Sequence, residues 1–280
     1  MFKFPIGVML NSFKKPFEEA VYAAAKLGVD GVQFYTSKGR MSPENLTLQD
    51  RKNLLKTVNE NGLKISALCG DFGHGFGDRE LNKILVPKSK QELDLACDLE
   101  TKIVTTHIGV IPSNKENERY KIMQEACFEL FNYAEKQGQY FAIETGPETA
   151  DVLKGFLDSI GSKGGAVNLD PANLVMVTGD DPVKAVYTLK DYIVHTHAKD
   201  GIKLKDKDPE IIYGIIEEEI EWAEVFKELP LGEGGVDFKG YLNALDEIGY
   251  KGFLTIERET GLEPEKDIEK AVSFLKNAIK

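Results

Sequence analysis

Residues 192–200 carry the sequence Tyr-Ile-Val-His-Thr-His-Ala-Lys-Asp, in which a short apolar run gives way to ionisable side chains. The aromatic and β-branched first half predicts a buried strand. The second half places two imidazoles, an ammonium and a carboxylate where that strand ends. Such groups cost free energy beside an apolar strand unless each is paired or bound, so the combination indicates a functional site.

The two histidines of this run, His195 and His197, are two residues apart. Because side chains alternate along a strand, both are expected on the same face. This spacing suits one metal ligand and one neighbour that faces the same cavity. The alternative is that one of them is a hydrogen-bonded core histidine, and the motif alone does not separate the two hypotheses.

Strand-like and helix-like segments alternate along the whole chain. Eight strands are predicted, at residues 4–10, 31–35, 64–69, 103–107, 140–144, 166–170, 192–200 and 252–257. Helical spacing or capping residues predict helices that begin at Phe17, Thr47, Ser89, Asp181 and Asp237, with others around 123–134 and 268–275. In 280 residues this alternation predicts an α/β fold, a single (β/α)8 TIM barrel that spans residues 1–280 as one domain.

Residues 200–235 interrupt this alternation after the seventh strand. A connection of this length usually carries function or extra structure of its own. We therefore predict an insertion or lid here, with Ile211–Phe226 as a candidate lid helix because apolar and acidic residues alternate within it.

The composition excludes several classes of protein. With 46 acidic against 35 basic residues the formal charge is −11, which argues against a general nucleic-acid-binding surface. No stretch approaches the roughly eighteen apolar residues of a membrane span, and no secretory signal is recognisable. The three cysteines, Cys69, Cys97 and Cys127, lack metal-type spacing, so reduced thiols in a cytoplasmic protein are expected.

Polar side chains end five of the predicted strands, at the face where barrel enzymes carry their chemistry. These residues are His107, Glu144, Asp170, His197 and Glu257. Three carboxylates crowded together without a cation would repel one another, so a divalent metal is expected. Oxygen ligands with one imidazole suit Mn²⁺ or Mg²⁺, with Co²⁺ or Zn²⁺ as alternatives.

These motifs resemble the xylose-isomerase-like TIM-barrel superfamily, in particular its sugar phosphate isomerase/epimerase branch. The resemblance rests on Ile-Glu-Thr-Gly at 143–146, Asn-Leu-Asp-Pro-Ala-Asn at 168–173, His-Thr-His-Ala-Lys-Asp at 195–200, Leu-Gly-Glu-Gly-Gly-Val-Asp-Phe at 231–238 and Thr-Ile-Glu at 255–257. The resemblance covers nearly the whole chain, and the order of these motifs and their places at strand ends make them specific together.

The resemblance implies a site and a mechanism. In members similar to ketose 3-epimerases, the equivalents of Glu144, Asp170, His197 and Glu257 hold one divalent metal. The two glutamates exchange protons with the substrate through an enediolate, so the chain is expected to be a metal-dependent isomerase or epimerase of carbohydrate metabolism. Dimers or tetramers are common in this family, so a homo-oligomer is also expected, although no residue patch assigns an interface.

Other side chains are candidates for contacts with a sugar or polyol substrate. His107, His195, Lys199 and Glu148 could hold hydroxyls or neutralise charge, and Glu148 loosely matches a substrate-binding glutamate of the epimerase-like members. Glu233, in the Gly-Glu-Gly turn, is expected to help with positioning. Lys199 and Arg258 are the candidate contacts for a phosphate, but no glycine-rich phosphate cradle is recognisable, so phosphorylation of the substrate stays open.

Three alternatives compete with the isomerase. An inosose-type dehydratase would share the first step, removal of a proton beside a carbonyl, and would then lose a β-hydroxyl. An apurinic endonuclease would need more metal ligands, and the acidic charge opposes DNA binding. A non-catalytic sugar-binding barrel would not need the full set of four ligands. The sequence does not identify the sugar, the reacting carbon or the metal.

Overall fold

Eight parallel strands close into a barrel in the computed structural model, which describes residues 2–280. Two further strands lie outside the barrel. All strands in chain order are β1 (Ile6–Met9), β2 (Gly31–Tyr35), β3 (Lys64–Cys69), β4 (Ile103–Thr106), β5 (Tyr140–Glu144), β6 (Gly165–Leu169), β7 (Ile193–Ala198), β8 (Asp200–Lys203), β9 (Phe226–Leu229) and β10 (Leu254–Ile256). Around the barrel the order is β1, β10, β7, β6, β5, β4, β3, β2, while β8 and β9 pair separately. The predicted (β/α)8 barrel is confirmed.

Helices follow the barrel strands and cover them on the outside. The helices are α1 (Phe17–Leu27), α2 (Leu48–Glu60), α3 (Arg79–Asp98), α4 (Glu118–Lys136), α5 (Ala150–Ile160), α6 (Pro171–Asn173), α7 (Pro182–Thr188), α8 (Pro209–Ile212), α9 (Trp222–Val225), α10 (Phe238–Glu247) and α11 (Pro264–Ala278). Of these, α8 and α9 are short turns in the segment after β7 and do not belong to the outer layer. A π-helical turn, Leu174–Thr178, continues α6. Each long helix buries an apolar stripe, and these stripes form one core with the strands.

Side-chain caps fix several of the helix starts as predicted. Thr47 and Asp50 form a capping box at α2, in which Thr47 Oγ1 accepts from Asp50 N at 3.2 Å and Thr47 N donates to Asp50 Oδ2 at 3.0 Å. Asp181 accepts from Val183 N at 2.9 Å at the start of α7. A cap also explains a wrong boundary. The helix predicted from Ser89 begins ten residues earlier, at Arg79, because Asp78 caps its first turn and the helix continues through Pro87.

The segment after β7 forms an antiparallel pair of strands with two helical turns. Asp200–Lys203 pairs with Phe226–Leu229 in a register that joins Asp200 to Leu229. The lid helix predicted over Ile211–Phe226 is therefore wrong. The first turn ends at Ile212, and Gly214 has a φ of +70° that a continuing helix does not allow. Of the last residues in this range, Trp222–Val225 form a short helical turn and only Phe226 lies in a strand.

Asp200 fastens the end of this insertion to the barrel. Its buried carboxylate accepts from the backbone amides of Gly232, Gly234 and Val236 at 2.9, 2.9 and 3.1 Å. A Cβ atom on Gly234 would lie 2.1 Å from Asp200 Oδ1, which explains a glycine at that position. The Gly-Glu-Gly turn is thus held by its backbone and by an aspartate, while the side chain of Glu233 is exposed.

Candidate metal centre

Four polar side chains from four strands meet at the carboxyl end of the barrel. Glu144 is the last residue of β5, Asp170 directly follows β6, His197 lies in β7 and Glu257 directly follows β10. One potential ligand atom from each lies within 4.8 Å of the others, and all four residues are buried. The parallel strands therefore bring together residues up to 113 positions apart (144 to 257).

His197 Nδ1 lies at the middle of this group. It is 3.3 Å from Asp170 Oδ2, 3.4 Å from Glu257 Oε2 and 3.5 Å from Glu144 Oε1. Burial alone would lower the pKa of His197, but the carboxylates of Glu257 and Glu144 outweigh burial and raise it well above its usual value. The three buried carboxylates thus favour a positive charge at the position near His197 Nδ1 that all of them face.

The opposite nitrogen of His197 is held by a glutamine. Gln33 Nε2 donates to Thr105 Oγ1 at 2.8 Å, which turns Gln33 Oε1 towards His197 Nε2 at 3.1 Å. His197 Nε2 must therefore carry a proton to donate to Gln33. A second partner of this kind is typical of metal-binding histidines, because it orients the ring and leaves the other nitrogen free to be a ligand.

The carboxylates are also held in place by hydrogen bonds. Asp170 caps α6, since its Oδ1 accepts from Ala172 N and Asn173 N at 2.8 and 2.9 Å, and its Oδ2 is left to face His197. Glu144 Oε2 accepts from Asn168 Nδ2 at 3.1 Å, and its Oε1 accepts from Asn173 Nδ2 at 3.2 Å. These bonds fix the two carboxylates in positions where one oxygen of each lies within 4.8 Å of a potential ligand atom of the other metal-binding residues.

Lys199 supplies a fixed positive charge beside this group. Its Nζ donates to Glu257 Oε2 at 3.0 Å, forms an ion pair with Glu259, and lies 3.9 Å from Asp170 Oδ2. Burial would raise the pKa of Glu257, but Lys199 and His197 outweigh burial and lower it. Burial likewise would raise the pKa of Glu144, whereas His197 and His107 lower it. Both glutamates are therefore carboxylates at neutral pH.

The chemistry of these donors fits a divalent ion. Three carboxylates and one imidazole supply the hard oxygen ligands and the borderline nitrogen ligand of Mn²⁺ or Mg²⁺ sites. The buried group of Glu144, Asp170, His197 and Glu257 could thus hold a metal ion. Its net negative charge exceeds what Lys199 alone neutralises, which favours a cation at the point that His197 Nδ1 faces.

A cavity of about 220 Å³ opens beside the four residues and is here called the inner cavity. It is bounded by two of the four, Glu144 and Glu257, and by side chains of the π-helical turn and the insertion. Its lining residues are Tyr35, His107, Glu144, Asn173, Met176, Val177, Lys199, Ile212, Tyr213, Trp222, Phe226, Glu257 and Glu259. A small polar molecule in the inner cavity would therefore contact both glutamates.

The predicted substrate contacts differ in where they lie. His107 and Lys199 line the inner cavity, and His107 Nε2 is 3.6 Å from Glu144 Oε1. Glu148 is buried close by but does not line the cavity, and neither of its carboxylate oxygens has a hydrogen-bond partner among residues 2–280. Burial raises the pKa of Glu148 to about 8, so its carboxyl group is mainly protonated at neutral pH.

His195 lies deeper in the barrel, below the metal-binding group. Its ring is 5.8 Å from that of His197, so the two histidines do share a face. Burial lowers the pKa of His195 well below its usual value, so the ring is neutral. Thr255 Oγ1 is 2.9 Å from its Nε2, and its Nδ1 is 2.8 Å from Asn168 Oδ1. The structure therefore links His195 to the orientation of Asn168 rather than to the cavity.

Glu233 and Arg258 do not border the inner cavity. The guanidinium of Arg258 is paired with two carboxylates. Its Nη1 donates to Glu228 Oε1 at 2.8 Å, and its Nε donates to Asp267 Oδ2 at 3.0 Å. Glu228 accepts in turn from the backbone amides of Glu259 and Thr260. Arg258 thereby ties the segment after β10 to the insertion and to α11.

Residues that orient the metal-binding group were not assigned a role from sequence. Gln33, Asn168 and Asn173 are buried and hydrogen-bonded to the group. The available signal was a polar amide within an apolar strand, as Gln33 is in Gly-Val-Gln-Phe-Tyr. Such a residue needs a partner, and the strand-end residues of neighbouring strands are the nearest candidates.

Comparison with known families agrees with this geometry. The model of the xylose isomerase-like TIM-barrel family matches residues 21–278. The chain belongs to this family. Within the curated proteins, an uncharacterised protein of Methanocaldococcus jannaschii is 24% identical over 236 residues, which cover 78% of this chain and 71% of that protein.

Solved structures share the whole barrel. A xylose isomerase domain protein from Planctomyces limnophilus is 25% identical with a TM-score of 0.80, and the match covers 99% of this chain and 96% of that one. A D-tagatose 3-epimerase-like protein is 22% identical with a TM-score of 0.76, over 98% of this chain and 97% of that one. Other neighbours of the same fold are sugar epimerases and a probable dehydratase. Across residues 2–280, no helix is long and apolar enough to cross a membrane.

Proposed function

We propose that this protein is a divalent-metal-dependent isomerase or epimerase that moves a proton beside the carbonyl group of a sugar. The observation that carries the proposal is the buried cluster of Glu144, Asp170, His197 and Glu257, whose two glutamates both border one small cavity. The similarity to sugar epimerases of the same fold supports a sugar as the substrate.

Glu144, Asp170, His197 and Glu257 are the residues that would hold the metal. When bound, a divalent ion at this position would withdraw electron density from substrate oxygens and so lower the energy of an enediolate. Mn²⁺ or Mg²⁺ is proposed from the three carboxylate ligands. Gln33 and Asn168 would keep His197 and Glu144 in the orientation for binding.

Glu144 and Glu257 are proposed to transfer the proton. They come from β5 and β10, and β6 and β7 lie between these strands in the barrel. A sugar between the two carboxylates would present opposite faces of its reacting carbon to them. One carboxylate would take the proton from the carbon next to the carbonyl, and the other would return a proton to the opposite face.

The remaining side chains of the inner cavity would bind and enclose the sugar. His107 and Lys199 offer hydrogen-bond donors to its hydroxyl groups, and Tyr213 and Trp222 of the insertion cover it. A closed cavity strengthens the interactions of these charged groups and excludes water from the reacting carbon. Residues 200–235 are therefore proposed to serve as the lid, although as a strand pair with short turns rather than a helix.

A dehydratase is the second candidate function, and Lys199 favours it. Elimination of a β-hydroxyl needs an acid near the departing oxygen, and the Lys199 ammonium borders the inner cavity, 3.0 Å from Glu257 Oε2. The same first proton transfer would serve both reactions. A probable dehydratase is among the structures of this fold.

Proton NMR in D₂O tests the proposal and separates the two candidates. The Mg²⁺-loaded protein is incubated with ketoses, ketose phosphates and inososes, and wild type is compared with the Glu144→Gln/Glu257→Gln double variant. Deuterium beside the carbonyl, with every hydroxyl kept, is the expected result. Loss of a hydroxyl would move the assignment to a dehydratase. If no compound exchanges, or if the double variant exchanges as fast as wild type, the proposal is wrong.

A further inference from the structure

A second cavity adjoins the inner cavity and is here called the outer cavity. Its volume is about 370 Å³, and it is formed by the loop after β3, the loop after β4, the first turns of α4, and the insertion. It shares His107 and Tyr213 with the inner cavity, but none of the four metal-binding residues lines it. A molecule that occupied both cavities would therefore pass beside these two rings, whose centroids are 5.8 Å apart.

The floor of the outer cavity is built from closely packed backbone. Phe76 N donates to Ile108 O at 2.9 Å, and this bond ties the loop after β3 to the loop after β4. Gly75 has a φ of +64°, and a Cβ atom there would lie 2.6 Å from Ile108 O. The glycine-rich segment at 70–77 thus allows two loops to touch and gives the cavity a fixed shape.

The lining of the outer cavity combines apolar walls with hydrogen-bonding groups. Ile108, Val110 and Met123 are buried beside it, while Asp71, His74 and Arg119 supply polar atoms. Within the described part of the chain, the buried atoms His107 Nδ1 and Arg119 Nε have no hydrogen-bond partner. Apolar surface beside a few polar groups is typical of small-molecule sites, and a ligand that supplies hydrogen-bond partners would satisfy these two atoms.

The charges around the outer cavity disfavour a phosphate. Arg119 already forms an ion pair with Glu210, and Asp71 and Asp78 add negative charge to the lining. Lys199 and Arg258, two further cations near the site, are paired with Glu257 and Glu228. Lys38 Nζ lies 3.9 Å from where a Cβ atom of Gly73 would be, but Asp71 and Asp78 of the lining outnumber this one cation. A dianionic group would have to displace these carboxylates, whereas a neutral hydroxylated group would not.

The size of the cavities indicates an extended ligand. The inner cavity, about 220 Å³, is smaller than the range of roughly 300–1,000 Å³ that is usual for ligand sites, and the two cavities together lie within that range. We propose that the outer cavity binds a second, neutral sugar-sized unit of the substrate, so that the natural substrate is a glycosylated keto sugar and not a sugar phosphate. This inference rests on the proposed function for the chemistry at the first unit.

Two isoleucines of the insertion give a matched pair of variants. Ile215 lines the outer cavity and is 40% exposed, whereas its neighbour Ile216 does not line it and is 42% exposed. Ile215→Trp should fill the outer cavity, and Ile216→Trp should add the same ring outside it. Because both residues are exposed to a similar degree, both variants are expected to fold, and their thermal unfolding temperatures should match.

The substrates differ only at the oxygen of carbon 6. They are D-fructose, D-fructose 6-phosphate and isomaltulose, which carries a glucosyl group there. With Mg²⁺-loaded wild type, isomaltulose is expected to exceed both other compounds at least tenfold in kcat/KM for deuterium exchange, and at least tenfold in affinity by saturation-transfer NMR. Ile215→Trp should remove that advantage and leave D-fructose within twofold of wild type, while Ile216→Trp should change neither.

Preference for D-fructose 6-phosphate, equal treatment of D-fructose and isomaltulose, or equal effects of the two tryptophan variants would overturn the inference. The failure of the proposed function looks different. In that case no compound exchanges deuterium, yet isomaltulose still binds more tightly than D-fructose and Ile215→Trp still weakens its binding. The binding measurement therefore tests the outer cavity independently of catalysis.

Discussion

Gln33 Oε1 lies 3.1 Å from His197 Nε2, so a residue of β2 holds a proposed metal ligand of β7 in orientation. Gln33→Leu keeps a similar size but removes the acceptor for the Nε2 proton. The variant should bind Mn²⁺ roughly 10- to 100-fold more weakly, which is the usual cost of losing a partner of a metal-binding histidine. Calorimetric titration measures this affinity. Gln49→Leu, at an exposed glutamine of α2, is the control, and equal affinities would show that Gln33 has no such role.

The two glutamates of the centre should be indispensable for proton transfer. Glu144→Gln and Glu257→Gln each keep the shape of the side chain but cannot accept a proton. Each change should slow deuterium exchange into a ketose by about 10²–10⁴-fold, the usual contribution of a general base or acid. Glu263→Gln, at an exposed position on the segment after β10, should retain full activity. Circular dichroism checks that the variants stay folded, and a single variant with wild-type exchange would remove that residue from the mechanism.

The positions of these glutamates could be predicted from sequence because of a general property of the fold. Parallel strands of a barrel end on one face, so a polar residue at the end of each apolar strand places Glu144, Asp170, His197 and Glu257 together without knowledge of their distances. His195 and Arg258 show the limit of that argument. Both are close in sequence to the proposed ligands. His195, however, lies deeper inside the barrel, where it contacts Asn168, and Arg258 faces Glu228 of the insertion.

The insertion at residues 200–235 was predicted from sequence, but its internal structure could not be. Apolar and acidic residues alternate over Ile211–Phe226 as they would in an exposed helix, but Gly214 interrupts the helix, and only Phe226 of this range pairs with the strand Asp200–Lys203. The role of Asp200 was equally hidden, since its partners are backbone amides more than thirty residues later in the chain. Backbone partners leave no side-chain pattern in the sequence.

Asp200→Ala should loosen the turn at residues 232–236. The change leaves three backbone amides of this turn without their acceptor, at a cost of about 1–3 kcal/mol for each amide that stays buried. Hydrogen–deuterium exchange followed by mass spectrometry should show faster exchange in this turn. Asp206→Ala, at an exposed aspartate of the same insertion, should leave the exchange unchanged. Equal protection in the two variants would mean that Asp200 does not hold the turn.

Glu92 should make the stability of the protein depend on pH. Burial raises the pKa of Glu92 to about 8, despite a 2.5 Å hydrogen bond from Thr36 Oγ1 that lowers it. Between about pH 4.5 and pH 8 the folded chain therefore holds a proton that the unfolded chain has released. The free energy of unfolding should fall as the pH rises through this window, by on the order of a few kcal/mol.

Glu92→Gln keeps the acceptor for Thr36 and removes the titration. The decline in the free energy of unfolding should become less steep without disappearing, because burial also raises the pKa of Glu148 to about 8 and because Glu257 and Glu144, against the effect of burial, raise the pKa of His197. Urea unfolding at several pH values measures the slope. Glu60→Gln, at an exposed position of α2, should leave the slope as it is in wild type. A slope that Glu92→Gln does not change would contradict the prediction.

The most direct test of a metal-assisted proton transfer is the rate of deuterium incorporation as Mg²⁺ is added back to chelator-treated protein. The ketose that exchanges best with the loaded protein serves as substrate. We predict no exchange before the addition and a rate that rises until one ion is bound per chain. Full exchange in the chelator-treated protein would contradict the account, as would a rate that stays at the uncatalysed level after one ion has bound to each chain.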